Sequence, residues 1–246
     1  MATKAPAISY NTAAAYNWTG FYAGVHLGVA WGSSNWTEQP DGLAGSFNLF
    51  QRPDAFSEFG SWFGGVQAGY DYMLPNRLVV GVAADMSAPS FQNLNGLSIG
   101  GTSTFVSPTL GQESVSETVL DMGTVRGRIG YAPGDWLLYA TGGFAWTYDQ
   151  LTLNQLANGG ITDMPFLWRF GWVAGAGIEF GFAPNWTAGL EYLYTHYGNS
   201  TVGFANAGQT FLSDLSVQQL RVTLNYRFDA DQTAEKATGK WAGSCH

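Results

Sequence analysis

The sequence predicts an all-β fold: an eight-stranded antiparallel up-and-down transmembrane β-barrel with four long extracellular loops and short periplasmic turns. Three observations predict it. Charged residues make up 11% of the 246 residues, under half of the roughly 25% typical of a soluble domain. No uninterrupted apolar run approaches the ~18 residues that a membrane helix needs. Aromatic residues reach 15% and glycine numbers 33, arranged so that greasy and small residues alternate. A barrel reconciles all three, because only every second residue of its strands meets lipid.

The first strand, about 20–31, lies in NWTGFYAGVHLGVAWG. Its odd positions are Phe21, Ala23, Val25, Leu27, Val29 and Trp31, and its even positions include Tyr22, Gly24, His26 and Gly28. The second and third, about 61–72 and 77–87, alternate around MLPNR at 73–77. The fourth and fifth, about 117–131 and 136–149, flank APGD at 132–135. The sixth and seventh, about 167–182 and 186–197, flank APN at 183–185, and the eighth covers about 216–228. Each short connection contains proline followed by Asn, Gly or Asp, the chemistry of a tight turn. The other four connections, 32–60, 88–116, 150–166 and 198–215, are long and rich in Gly, Ser, Asn, Thr and Gln. Long and short alternate strictly, so a meander gathers all the long ones at one end, as in outer-membrane barrels. The flanks lack periodicity, which gives a periplasmic N-terminal tail at 1–16, a barrel at 17–228 and a periplasmic C-terminal tail at 229–246.

The composition of the two faces decides which one meets lipid. One face carries Val66, Tyr70, Val82, Ile129, Phe144, Phe170 and Leu190, and the other carries glycine and mutually compensating charges. The apolar set is too bulky for an eight-strand interior, which is only wide enough for side chains to fill, so it faces outward. Tryptophans collect at the strand ends. Trp18, Trp136 and Trp186 fall at the short-turn end, and Trp31, Trp62, Trp146 and Trp168 at the loop end. They form the expected aromatic girdles. Asp121 fits poorly, sharing parity with lipid-facing Val125 and Ile129; it sits at headgroup level, or a bulge shifts the register.

Five of the seven arginines have lumen parity: Arg126, Arg128, Arg169, Arg221 and Arg227. Asp71, Asp85, Glu179 and Glu191 share that face. Charges in a lumen need partners or water. Strand order makes Asp85 a neighbour of Arg126 and Glu191 a neighbour of Arg221. The network reads either as a polar plug that fixes register or as the lining of a narrow ion path. The three histidines, His26, His196 and His246, are far apart and lack ligands at metal spacing. No nucleophile motif accompanies His196, so catalysis is not expected and no cofactor or metal is implied. The net charge of −8 excludes nucleic acid, whose phosphates need a basic face. Arg52 is the only Lys or Arg in the four loops, which also carry Glu38, Asp41, Asp54, Glu58, Glu113, Asp163 and Asp214. The loops read as a solvated cap or as a surface for a protein or cell-surface partner. Cys245 is the single cysteine, so an internal disulfide is impossible. The opening MATKAPAIS has no hydrophobic segment, so an export signal is expected to have been removed.

The segments YNWTGFYAGVHLGVAWG (16–32), GTVRGRIGY (123–131), LLYATGGFAW (137–146) and LRVTLNYRF (220–228) resemble the small opacity-type, immunogenic outer-membrane β-barrel proteins of alphaproteobacteria. These are similar to the OmpA transmembrane barrel. The resemblance implies the Gram-negative outer membrane, with its lipid and lipopolysaccharide as surroundings. It implies a structural and surface-interaction protein. Porins and hemin binders also occur in the family, so a narrow channel or a small-ligand receptor stays open. It further implies a terminal strand read by the barrel assembly machinery, here Val222, Leu224, Tyr226 and Phe228. This chain departs from that pattern by continuing for 18 residues.

Overall fold

A computed structural model describes residues 16–39, 46–50, 62–88, 97–98, 103–107, 111–155, 160, 162–205 and 209–228. Eight long strands form its wall: β1 (Gly20–Gln39), β2 (Trp62–Met73), β3 (Leu78–Ala88), β4 (Gly111–Tyr131), β5 (Trp136–Gln155), β6 (Phe166–Ala183), β7 (Trp186–Phe204) and β8 (Gln209–Phe228). Each pairs antiparallel with its sequence neighbours. β1 also pairs with β8, from Phe21 opposite Phe228 to Gln39 opposite Thr210, so the ring is closed and has no free edge in the spanning region. No described helix is long and apolar enough to cross a membrane; the strands do it.

The three tight turns are built as their sequences require. In the first, Arg77 adopts a φ of 65° and its N–H donates to the Leu74 carbonyl at 2.9 Å. In the second, Gly134 supplies a φ of 82°. The third is the two-residue Pro184–Asn185 link between paired Ala183 and Trp186. Asn185 Nδ2 donates to the Arg227 carbonyl at 2.8 Å, tying that turn to the end of β8.

The outward face is apolar in the spanning region. Val66, Val82, Val125, Ile129, Leu138, Phe144, Phe170 and Val222 are all about half exposed, because lipid rather than protein covers them. Trp62, Trp136, Trp168 and Trp186 are exposed at the two rims, and Trp31 and Trp146 are partly covered. Trp18 is not a girdle residue. It is fully buried, because it precedes β1 and the alternation does not apply to it. Gly20, with a φ of 137°, lets the chain turn into the barrel mouth, where the Arg227 guanidinium lies 4.8 Å from the Trp18 ring.

Six strands run 18 to 21 residues, well beyond the ~9–11 that a tilted strand needs to cross a bilayer. The long connections therefore start later than the alternation predicts. β1 continues to Gln39, β5 to Gln155 and β7 to Phe204, while β4 begins at Gly111 and β8 at Gln209. The physical reason is an inversion of polarity. Beyond the upper girdle the outward residues are Asn199, Thr201 and Ser216, and the inward ones are Val202, Phe204, Phe211 and Leu215. The hydrogen-bonded ladder goes on after the greasy-outside pattern has stopped. Two bulges assist, between Val119 and Asp121 in β4 and between His196 and Gly198 in β7. Each flips side-chain parity above it. The first begins at Asp121, which stays on the outward face opposite Tyr148, while Val119 and Glu117 above it turn inward. Four short strands add to the long-connection end. Ser46–Phe50 pairs with β1, Leu97–Ser98 and Ser103–Ser107 with β4, and Thr162–Asp163 with β5. Of the expected tails, 229–246 with Cys245, and 1–15, lie outside the described residues.

Candidate functional site

The lumen is the feature that composition and topology single out, and it is layered. At the short-turn mouth, Trp18, Val79, Ala132, Leu137 and Tyr139 pack together. Above them sits a first charge cluster. Arg128 Nε donates to Asp71 Oδ1 at 2.6 Å, and its Nη2 bonds the other Asp71 oxygen. Arg128 Nη1 reaches Glu179 Oε2 at 3.2 Å. Arg227 Nη2 donates to Asp71 Oδ2 at 2.7 Å, and its Nη1 to the Trp18 carbonyl at 2.8 Å. Glu179 also accepts from Asn225 at 3.0 Å and from the Thr187 hydroxyl. Two acids meet two arginines, so the cluster is neutral.

Aromatic rings flank these arginines. The Arg128 guanidinium lies 4.8 Å from the Tyr22 ring and 5.0 Å from the Tyr139 ring, a cation–π arrangement. The rings find room because they lie against glycine. A Cβ on Gly69 would come within 2.5 Å of the Tyr22 phenol, and one on Gly177 within 2.5 Å of Tyr139. That is the physical use of the small residues on the inward face.

A second neutral cluster follows. Arg126 bonds Asp85 at 2.9 Å and Glu191 at 2.8 Å. Arg221 bonds the same two acids, Asp85 at 3.1 Å and Glu191 at 2.6 Å. Glu191 and Arg221 are directly opposed on β7 and β8, while Asp85 on β3 sits diagonal to Arg126 on β4. All eight charged groups in these two clusters are buried. The space between them, bounded by Tyr22, Gln67, Arg126, Arg128 and Tyr139 among others, amounts to about 10 Å³, room for about one water molecule. Gln67 on β2 and Asn225 on β8 bridge over Gly24 of β1, on the lumen side, with a 2.6 Å hydrogen bond.

Beyond an apolar layer containing Phe63, Met122, Leu193 and Val217 lies a third cluster that the sequence reading only half found. Arg169 donates to Asp149 Oδ2 at 2.8 Å and to Glu117 Oε1 at 2.7 Å. It also donates to the Ser213 carbonyl and hydroxyl, both at 2.9 Å. Asp149 was legible, since it shares inward parity with Gly143 on the same strand. Glu117 was hidden by the bulge below it. A cap of Trp36, Leu151, Leu153, Val202, Phe204 and Phe211 seals this cluster from the long-connection end.

Neither of the two described histidines joins the network's charges; His246 lies outside the described residues. His26 is buried and its Nε2 lies 2.9 Å from Ser87 Oγ. His196 lies 3.6 Å from Asp214 on the outer face of β7 and β8, beside Trp172. That pair faces the surroundings rather than a cleft. Among the described residues no three His, Cys, Asp or Glu side chains are placed to hold a metal ion.

A closed ring of eight strands, lipid-facing without and charge-packed within, narrows the candidates to one class. The family model for the outer membrane protein beta-barrel domain matches residues 2–228. The chain belongs to that family. This outer-membrane barrel is 33% identical over 226 residues to the 31 kDa outer-membrane immunogenic protein of Brucella melitensis biotype 1, covering 87% of this chain and 85% of the relative. It is 30% identical over 214 residues to the 25 kDa outer-membrane immunogenic protein of Brucella abortus biovar 1, covering 87% and 80%. Among solved structures it is similar to Ail, the attachment invasion locus protein of Yersinia pestis, at 14% identity with a TM-score of 0.40. That match covers 85% of this chain and 99% of Ail.

Proposed function

We propose that this outer-membrane barrel is a sealed structural scaffold that presents an interaction surface at its extracellular end and performs no catalysis. One observation carries this reading. Four arginines and four acids interlock across the lumen at 2.6–3.2 Å and leave about 10 Å³ between the clusters. A solute path would have to break several buried ion pairs at once, each costly to separate. The relatives named immunogenic support exposure of the outer end to a host or neighbouring cell. Lipid and lipopolysaccharide cover the aromatic-rimmed outer wall.

The test is single-channel recording on the folded, inserted protein in a planar bilayer. No discrete conductance is expected. Salt-dependent steps that vanish on heat denaturation would make it a narrow channel instead, with Arg126 and Arg221 as selectivity residues.

Assembly gives a second check. Val222, Leu224, Tyr226 and Phe228 all point outward at the closing end of β8, where assembly machinery could read them before the ring closes. Phe228→Ala should lower the amount of heat-modifiable barrel in the outer membrane several-fold while leaving refolding from urea into detergent intact. Equal loss in both settings would assign Phe228 to stability rather than recognition.

A further inference from the structure

The three lumen clusters differ in one respect. The lower two each pair two acids with two arginines, whereas the third sets Glu117 and Asp149 against Arg169 alone. All three side chains of the third are fully buried, and apolar layers close it above and below. A net negative charge in such a place is costly.

Hydrogen-bond counting locates the compensation. Glu117 accepts from Arg169 Nη2 on Oε1 and from the Ser34 hydroxyl on Oε2, and the Trp36 N–H, whose shorter bond goes to Ser34 Oγ at 2.8 Å, reaches the same Oε2 at 3.4 Å. It suits an ionised carboxylate. Asp149 accepts from Arg169 Nε on Oδ2. Its Oδ1 lies 2.7 Å from Thr147 Oγ1, and that same hydroxyl lies 2.9 Å from the Asp121 carbonyl oxygen. A hydroxyl has one hydrogen and a carbonyl oxygen can only accept. With Asp149 ionised, Thr147 can satisfy just one of these two acceptors. With a proton on Oδ1, Asp149 donates to Thr147, which donates to Asp121, and both contacts are hydrogen bonds.

We propose that Asp149 is a resident proton-binding site: a neutral carboxylic acid that brings the third cluster to zero charge and closes the Asp149–Thr147–Asp121 relay. The groups that face it are Glu117 on β4, Arg169 on β6, Tyr197 on β7, and the hydroxyls of Ser34 on β1 and Ser213 on β8. Arg169 is the only cation among them. Deprotonation leaves the cluster with one uncompensated charge, so the upper half of the barrel is the part that an alkaline medium loosens first.

Infrared spectroscopy of the full chain refolded in lipid vesicles tests this at neutral pH. The wild type should show a carbonyl band of a protonated carboxyl group. Asp149→Asn, whose amide donates to Thr147 and accepts from Arg169, should fold, lose the band and lose the wild type's drop in thermal stability between mildly acidic and mildly alkaline pH. Glu117→Gln leaves Asp149 and Arg169 as a neutral ion pair, so its band should weaken and disappear at lower pH than in the wild type. No band in the wild type would overturn the proposal. So would a band that survives in Asp149→Asn, or an Asp149→Asn chain that cannot fold. Should Glu117→Gln fail to fold, the wild-type and Asp149→Asn spectra decide alone.

Discussion

Replacing Arg221 with alanine is expected to destabilise the folded barrel by about 3–5 kcal/mol, the usual loss when one partner of a buried ion pair is removed. Arg221 is fully buried and bonds Asp85 at 3.1 Å and Glu191 at 2.7 Å. Its removal leaves two buried carboxylates facing Arg126 alone. The intact pair is not itself a large net stabiliser, because both charges were taken from water to make it. The loss comes from the charge left behind. Urea unfolding in lipid vesicles reads the effect, and a midpoint equal to the wild type's would count against the plug. Arg221→Lys should recover part of the loss, since one ammonium cannot reproduce a fork of donors. Adding Glu191→Gln to Arg221→Ala should recover more than the sum of the single changes predicts, because it removes the stranded charge.

Trp36→Ala is the second large change, about 3–5 kcal/mol for a buried tryptophan cut to a methyl group. Trp36 stacks on Phe204 with ring centroids 5.9 Å apart and lies 5.8 Å from Phe211. Its indole N–H donates to Ser34 Oγ at 2.8 Å. The cavity would open directly over Arg169 and its acids. Because this layer lies above the spanning region, the damage should be local. Amide exchange should accelerate in β7 and β8 near Phe204 and Phe211, while residues near Arg128 and Asp71 keep their protection. Uniform acceleration would mean that the two halves unfold as one unit.

How much of this was legible in the sequence depends on which side of the girdle a residue lies. In the spanning region, period two and lipid contact are both strict. Alternation alone therefore set Asp71, Arg128, Glu179 and Arg227 apart from Val66 and Ile129. Above the girdle the outside is wet and the rule reverses, so Val202, Phe204 and Phe211 looked like loop rather than core. Bulges do further damage to pattern reading, because one extra residue changes the parity of everything beyond it. Glu117 was lost in that way. Trp18 was misread for a different cause. It precedes the first strand, and its burial follows from the backbone bend at Gly20 and the attraction of Arg227, neither of which has a periodic signature.

The length of the strands has a consequence for what an antibody or a neighbouring cell can reach. From Trp31 at the upper girdle to Gln39, β1 continues for eight more residues, and β8 matches it residue for residue. At about 3.3 Å per residue and a tilt of roughly 40°, that section rises about 20 Å. The β1 and β8 ends of the rim therefore stand clear of the lipid headgroups. Lateral contact at that height falls on the hydroxyl- and amide-bearing wall of Asn199, Thr201 and Ser216. Contact from outside the cell falls on whatever is mounted at the rim.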